Sequence, residues 1–423
     1  MNFTGSESLN NLVPGVTLEE PANKYCKKLW KSSSYWYLLT YNVTDAREAI
    51  YQSQDLSSWS EIILPKNDGS YVYSEYQIFV THSDIIHAVC AARSVSTPYQ
   101  YKIRYGVYNG SWSWSDISIS TNTPPSPYIV IDSSGYAHIV TYLYSNDHVE
   151  YANNETGSWS SWSVLAEYNP GSSKLLTGVG ITQNDNIYVF ISENGTDTVW
   201  HARVSGSWTY SGFSDIGIES ADIEWNENYI YFAYTVANKM YMISGTGTSL
   251  NREVVDNGSG SGFFIEYFYG SIAICNDGTN IHIIYIVQDL TAYPSFYINM
   301  KYVYGTSGSF NSPIIMSNSP YTGSYPTYSA QGFYGDSYRL FYTCVGDSEQ
   351  FYFALGNTDA TYGEEPPEPP TPTTAGGRFF YYNSTQSQFK LARNIKYNDS
   401  GTYKIARRLL DYGSEDGWKQ VRF

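Results

Sequence analysis

Hydrophobic and polar positions alternate with a period of two along almost the whole chain, and short turns of Ser, Asn, Asp and Gly interrupt the alternation. A period of two places successive side chains on opposite faces, so each run predicts a β-strand. The clearest runs share one layout, a polar turn followed by a strand of aromatic and β-branched residues. They are SSYWYLLTY ending at Tyr41, SDIIHAVCA ending at Ala91, SGYAHIVTY ending at Tyr142, NDNIYVFI ending at Ile191, ENYIYFAY ending at Tyr234, GTNIHIIY ending at Tyr285 and GDSYRLFY ending at Tyr342. Aligning them puts Tyr37, His87, His138, Tyr188, Tyr231, His282 and Arg339 at one position, at spacings of 50, 51, 50, 43, 51 and 57 residues.

A second strand follows each aligned one and leads through a turn to a bulky residue. These residues are Trp59, Trp112, Trp159, Trp208, Leu250 and Phe310, with GSWSW, GSWSSW and GSWTY as the strongest copies. A further short strand comes after the bulky residue, as at 116–120 and 163–167, and another precedes each aligned strand, as at 128–132 and 179–183. Four strands in one repeat of this length make one propeller blade. The period of two and the Gly-rich turns exclude a helical repeat. The expected fold is therefore an all-β, seven-bladed β-propeller of four-stranded blades, over residues 22–363. Each blade covers a face of the next, which explains strands apolar on both sides. The bulky residue after each turn is expected to stand between blades and lock adjacent sheets.

The stretch IDSSGYAHIVTY, followed by HVEYANNETGSWSSW, resembles the repeats of sialidase-type, Asp-box-containing propellers. Ser53-Gln54-Asp55-Leu56-Ser57-Ser58-Trp59 resembles a shortened Asp-box, and also the S-x-D-L-x-x-W turn of five-bladed glycosidases. In those families the box lies in the turn between third and fourth strands, remote from the active centre. The other repeats lack the Asp, so the resemblance is one of architecture. It implies that sialidase chemistry would need three converging arginines, a Tyr/Glu nucleophile pair and an Asp acid. Arg104, Arg203 and Arg339 instead fall on second or third strands, and no Arg-Ile-Pro motif occurs.

Composition narrows the function. Charged residues make up 15% of the 423 positions and aromatics 17%, with 44 Tyr and 11 Trp. The net charge of −16 would repel a polyanion, so nucleic acid is not an expected partner. No apolar run is long enough for a membrane span. Residues 1–13 show neither a basic region nor an apolar core, so a secretory leader is not expected. Asn-x-Ser/Thr sequons stand at Asn2, Asn42, Asn109, Asn154, Asn194, Asn257, Asn383 and Asn398. An extracellular-looking surface without an export signal fits a protein displayed on a virion or cell surface.

The cysteines Cys26, Cys90, Cys275 and Cys344 fit neither a zinc site nor a redox motif. Cys26 and Cys344 belong to the first and last repeats, so a disulfide across the ring's seam is an expectation, with residues 13–25 supplying a strand to the last blade. His87, His138 and His282 share one position on different blades, and their reading is as packed polar aromatics, with no metal or other cofactor expected. Two functions remain. One is a non-catalytic binding or structural protein that meets a glycan or a surface protein through aromatic-lined loops, with homo-oligomerisation open. The other is a propeller glycoside hydrolase, for which Asp222, Glu224 and Glu266 are the candidate carboxylates near innermost strands.

Residues 1–21 read as an N-terminal extension. Residues 364–377 (EEPPEPPTPTTAGG) form a Pro-rich linker, extended and solvated. Beyond it, residues 378–423 carry Lys390, Arg393, Lys396, Lys404, Arg407, Arg408, Lys419 and Arg422. They form either a small basic β module that attaches the ring to an assembly partner, or a diverged eighth blade.

Overall fold

The computed structural model describes residues 29–313 with their side chains, apart from 259–271, 286–300 and shorter segments, and describes strands by backbone alone on either side of that stretch. Two compact units divide the chain, 1–360 and 361–423. Among the described residues all regular structure is β, and no helix is long and apolar enough to cross a membrane.

Blade I consists of Leu29–Lys31, Trp36–Asn42, Arg47–Ser53 and Ser60–Ile62. Blade II is Tyr71–Val80, Ile86–Ser94, Tyr101–Tyr108 and Trp112–Ser118. Blade III is Pro125–Ile131, Ala137–Leu143, His148–Asn153 and Ser163–Glu167. Blade IV is Lys174–Ile181, Ile187–Glu193, Thr198–Val204 and Ser207–Phe213. Blade V is Ser220–Trp225, Ile230–Val236, Lys239–Thr246 and Ser249–Asp256. Blade VI has Ile272–Asn276, Ile281–Asp289 and Phe296–Thr306 as its first three strands. Both Ser309–Phe310 and Ile314–Tyr321 pair with the third, and Phe263–Ile265 extends the sheet along the second. Each blade is an antiparallel meander.

Burial falls from the inside of each blade outward. The second strands of blades III and V are buried at every position, whereas the fourth strand of blade IV is exposed at five of its seven. Successive sheets stack through their alternating faces. In blade III, Ile129, Ile131, Ala137 and Ile139 pack with Val89, Ile103 and Tyr105 of blade II. Tyr128, Val130, Val140 and Tyr142 of the same strands pack with Leu176, Val179 and Ile187 of blade IV. Equivalent clusters join I to II, IV to V and V to VI. A sheet apolar on both faces has no stable place except between two others.

Polar contacts cross the same junctions. A bulge in the first strand of blade II leaves the Tyr76 N–H outside the ladder, and it donates to the carboxylate of Glu48 in blade I at 3.0 Å. Trp112 donates its indole N–H to Ile63 O, and Trp162 donates to Ser118 O. The sequon residue Asn42 is buried, and its amide donates to Asp45 and Tyr51.

Seven equivalent blades are corrected to six described with side chains. The last repeat interval is the longest, and the sheet at its end draws on both ends of the unit. That sheet orders Tyr328–Phe333, Arg339–Val345 and Phe351–Asn357 from one edge, with Phe3–Ser8 pairing antiparallel on Phe351–Asn357. Its first strand lies against Ile272–Asn276 of blade VI and Leu29–Lys31 of blade I. The segment that joins this sheet is thus Phe3–Ser8, upstream of residues 13–25, while Leu18–Glu19 pairs with Tyr41 and Asn42 of blade I. In the second unit, Phe379–Asn383, Gln388–Arg393, Arg408–Gly413 and Gly417–Arg422 form one four-stranded antiparallel meander. The linker 364–377, Cys26 and Asp55 lie outside the described residues, as does the side chain of Cys344. Cys90 and Cys275 are buried free thiols.

Candidate functional site: an aromatic-floored depression

The turns between first and second strands repeat one geometry. In blades II, III and IV a four-residue turn closes with a backbone N–H, that of Asp84, Gly135 or Asp185, donating to the carbonyl of Thr81, Asp132 or Thr182. Those three closing residues have φ of 65°, 84° and 58°. Glycine adopts this left-handed conformation freely, and Asp tolerates it better than most.

Two of these aspartates tie their turn to the preceding blade. Asp84 accepts from Ser32 Oγ, and from Ser33 Oγ at 3.2 Å. Asp185 accepts from both the backbone N–H and Oγ of Ser133, each at 2.7 Å. Partial burial pushes the Asp84 carboxyl up, but the hydrogen bonds from Ser32, Ser34 and Ser33 outweigh it and hold its pKa below the ordinary value. Asn184 of blade IV donates to Asn228 of blade V at 2.6 Å.

These turns surround a depression of about 940 Å³, lined by residues of blades I to V. Its volume lies in the range of small-ligand sites. Three aromatic rings from three blades meet in its lining. Trp30 and Phe79 have centroids 4.9 Å apart, Trp30 and Trp225 6.0 Å, and Phe79 stacks on Trp225 at 6.2 Å with the planes 9° apart. Gly180 makes room for this arrangement, since a Cβ there would lie 2.7 Å from Ile230 and 3.1 Å from Trp225. His82, Ser83, Ser134, Gln183, Glu224 and Asn226 supply polar groups to the same lining.

The structure separates the carboxylates that the sequence placed together. Asp222 accepts from its neighbour Ile223 N at 2.9 Å and from Ile274 N of blade VI at 3.0 Å, so it joins two blades. Glu224 is buried, lines the depression and accepts from Trp225 N at 3.0 Å. Glu266 lies outside the described residues. The other carboxylates of the lining are bound into turns. Asp132 accepts from Ser134 N and Tyr136 N and pairs with His138, while Asp185 holds Ser133. Hydrolysis of a glycosidic bond by two carboxylates needs both available on either side of the bond.

The aligned histidines make a repeated contact within their own blades. The Nδ1 atoms of His87, His138 and His282 lie 2.8, 2.7 and 2.7 Å from the hydroxyls of Tyr105, Tyr151 and Tyr302. Burial pushes the pKa of His87 down to about 4. Burial also lowers that of His138, against the raising effect of Asp132. Asp132, His138 and Glu155 each offer a ligand atom within 4.8 Å of the others. Arg203 sits 2.8 Å from Glu155, so a cation of the chain already balances this cluster.

The bulky turn residues stand as follows. Trp159 meets Tyr105 of blade II edge-on at 5.2 Å, and Trp208 meets Tyr151 of blade III at 5.1 Å. Trp112 stacks on Trp114 and packs against the cluster joining blades I and II. Leu250 packs against the cluster joining IV and V, and Phe310 against that joining V and VI. Trp59 is half-buried. Trp30 and Phe79 occupy one repeated position, opposite the aligned Tyr37 and His87, and Trp225 stands one residue past the equivalent place, where Glu224 lies opposite Tyr231. The visible signal of the trio is an aromatic residue near the end of a first strand.

Stacked four-stranded sheets around a lined central depression define a β-propeller. The chain is similar to several solved structures. Polysaccharide lyase Uly1 is 10% identical over 85% of this chain and 100% of its own, with a TM-score of 0.49. The sialidase of Trypanosoma rangeli is 8% identical over 83% of this chain and 59% of its own, at 0.42. The Aleuria aurantia lectin, a six-bladed β-propeller, is 16% identical over 58% of this chain and 80% of its own, at 0.37. These likenesses concern fold alone. No family profile matches the chain, and no curated protein sequence matches it.

Proposed function

We propose that this chain is a carbohydrate-binding β-propeller whose site is the depression lined by Trp30, Phe79 and Trp225. The observation that carries the reading is the meeting of those three rings, from blades I, II and V, among hydroxyl, amide and carboxylate groups. Flat aromatic faces suit the C–H face of a sugar ring, and the polar lining offers donors and acceptors to its hydroxyls. A glycan array followed by titration calorimetry tests this. Trp225→Leu should weaken the best glycan at least tenfold while the circular dichroism spectrum is retained. Unchanged affinity in a folded variant would remove the depression as the site.

A second reading, glycoside hydrolysis, rests on Glu224 in the same lining. The variant E224Q separates the two. It should keep most of the binding, whereas wild-type turnover that is lost in E224Q would establish the hydrolase.

The ring in this proposal has a seventh blade, the sheet of Tyr328–Phe333, Arg339–Val345 and Phe351–Asn357, with Phe3–Ser8 as its outer strand. Contacts of its first strand with blades VI and I support that reading. Closure by strands from both ends of a unit protects edges that would otherwise be exposed. Deleting residues 1–8 should then lower the melting temperature by several degrees, and an unchanged transition would exclude this strand from the closure.

A further inference from the structure

One junction between blades lacks the aromatic wedge found at its neighbours. Where blades II and III meet, Trp159 stands edge-on to Tyr105 with the planes 78° apart, and where III and IV meet, Trp208 does the same to Tyr151 at 76°. Tyr105, Tyr151 and Trp200 hold one register position. Each lies two residues before the third-strand partner of the aligned second-strand residue, the pairs being His87 with Val107, His138 with Asn153 and Tyr188 with Ala202. At the junction of blades IV and V the receiving ring, Trp200, is therefore present. The residue at the wedge position is Leu250, which has no ring to set against it.

The consequence is a cleft of about 440 Å³ between the outer strand of blade IV and the last hairpin of blade V. Trp200, Phe213 and Leu250 supply its apolar surface, and Thr209, Ser211, Thr248 and Asn251 supply polar side chains that are exposed. Arg252 lies over the Phe213 ring at 5.3 Å and over Tyr241 at 5.2 Å, which fixes that wall. No residue lining the cleft is charged.

We infer that this cleft is a second carbohydrate site, separate from the central depression, that takes one neutral pyranose in the place of the missing indole. The ligand class rests on the carbohydrate reading above, while the site rests on the repeat. A sugar ring has the flat apolar face that an aromatic wedge presents, and its hydroxyls meet the hydroxyl and amide groups of the rim. The residues lining the cleft are uncharged, which suits a neutral ring, and the nearby Arg252 is stacked on the Phe213 and Tyr241 rings.

The test uses the full chain, methyl glycosides of glucose, galactose and mannose, and N-acetylneuraminic acid as the charged control. Binding is followed by saturation-transfer NMR and calorimetry. Leu250→Trp should restore the wedge, hold or raise the melting temperature, and weaken one class of neutral-sugar binding at least tenfold. Trp225→Leu should leave that class intact. Ser211→Trp, which fills the cleft from blade IV, serves should Leu250→Trp fail to fold. Neutral-sugar binding that Trp225→Leu abolishes and both cleft variants leave unchanged would overturn this inference and keep the central site. Preference for N-acetylneuraminic acid in the cleft would overturn the neutral-ligand assignment. No binding of any neutral glycoside to the wild-type chain would overturn both.

Discussion

Lowering the pH from 7 to 4 should strip this protein of several kcal/mol of stability, with the loss concentrated between pH 6.5 and 4. His87 and His201 are buried, and burial alone pushes each pKa from 6.5 to about 4. Above pH 6.5 both rings are neutral in the folded and unfolded chains and contribute no pH dependence. Below it the unfolded chain takes up protons that the folded chain refuses, until the folded pKa is reached. Each ring accounts for about 3 kcal/mol across that window, against a total stability on the order of 5–15 kcal/mol. His138, also lowered by burial, acts in the same direction. Glu75 and Glu150, raised by burial, act oppositely, regaining stability as they protonate. The lowered carboxyls of Asp84 and Asp256 come into play only below their ordinary value of 3.8.

Urea unfolding at pH 7.5, 6, 5 and 4 measures this loss directly. His201 offers an internal control, because its Nε2 is buried without a hydrogen-bond partner and its ring packs against Tyr210 at 5.9 Å. His201→Phe should be at least as stable as wild type at pH 7.5 and lose markedly less stability by pH 4. A free energy of unfolding that stays level from pH 7.5 to 4.5 would refute the assignment of these rings as neutral in the fold.

A single added methyl group at Gly245 should cost about 3 kcal/mol or more, enough to depress soluble yield. Gly245 is the penultimate residue of the third strand of blade V, opposite Leu250 where the next strand turns back over it. A Cβ built there would lie 2.1 Å from Ser249 O and 2.9 Å from Leu250 Cα. Both are backbone atoms of a tight hairpin, so the clash cannot be relieved by a rotamer change. Gly305 occupies the matching place in blade VI, with Ser309 O at 2.2 Å. Ala at either position should lower the melting temperature by several degrees, as read by thermal unfolding, whereas Gly69→Ala has only its φ of 85° to contend with, since no atom lies within 4 Å. Equal melting temperatures for the Gly245, Gly305 and Gly69 variants would show that the hairpins yield.

Much of this architecture was legible before any coordinates. A strand's alternation is a local property, and the seven aligned runs each fall on a second strand. The turn-following aromatics were legible for a related reason. A residue that must reach the next blade recurs at the blade's own period, so Trp159 and Trp208 stand out in the sequence and are found against Tyr105 and Tyr151.

The rest depended on which chain segments the ring brings together. Trp30 and Phe79 face the aligned Tyr37 and His87, and Trp225 lies one residue past the matching place, but Val130, Gly180 and Cys275 hold that place in other blades, so the rings meet only because three blades converge. Asp222 and Glu224, two residues apart on one strand, looked alike as candidate acids. Only the position of blade VI gives Asp222 the Ile274 N–H to hold, and leaves Glu224 lining the depression. Leu250 shows the division most plainly. The sequence by itself determined that a wedge position in blade V holds a residue without a ring. Only the tertiary structure decided that the gap opens onto Trp200 and a polar rim, because the receiving ring belongs to a different blade and pairing through space leaves no trace in a local pattern.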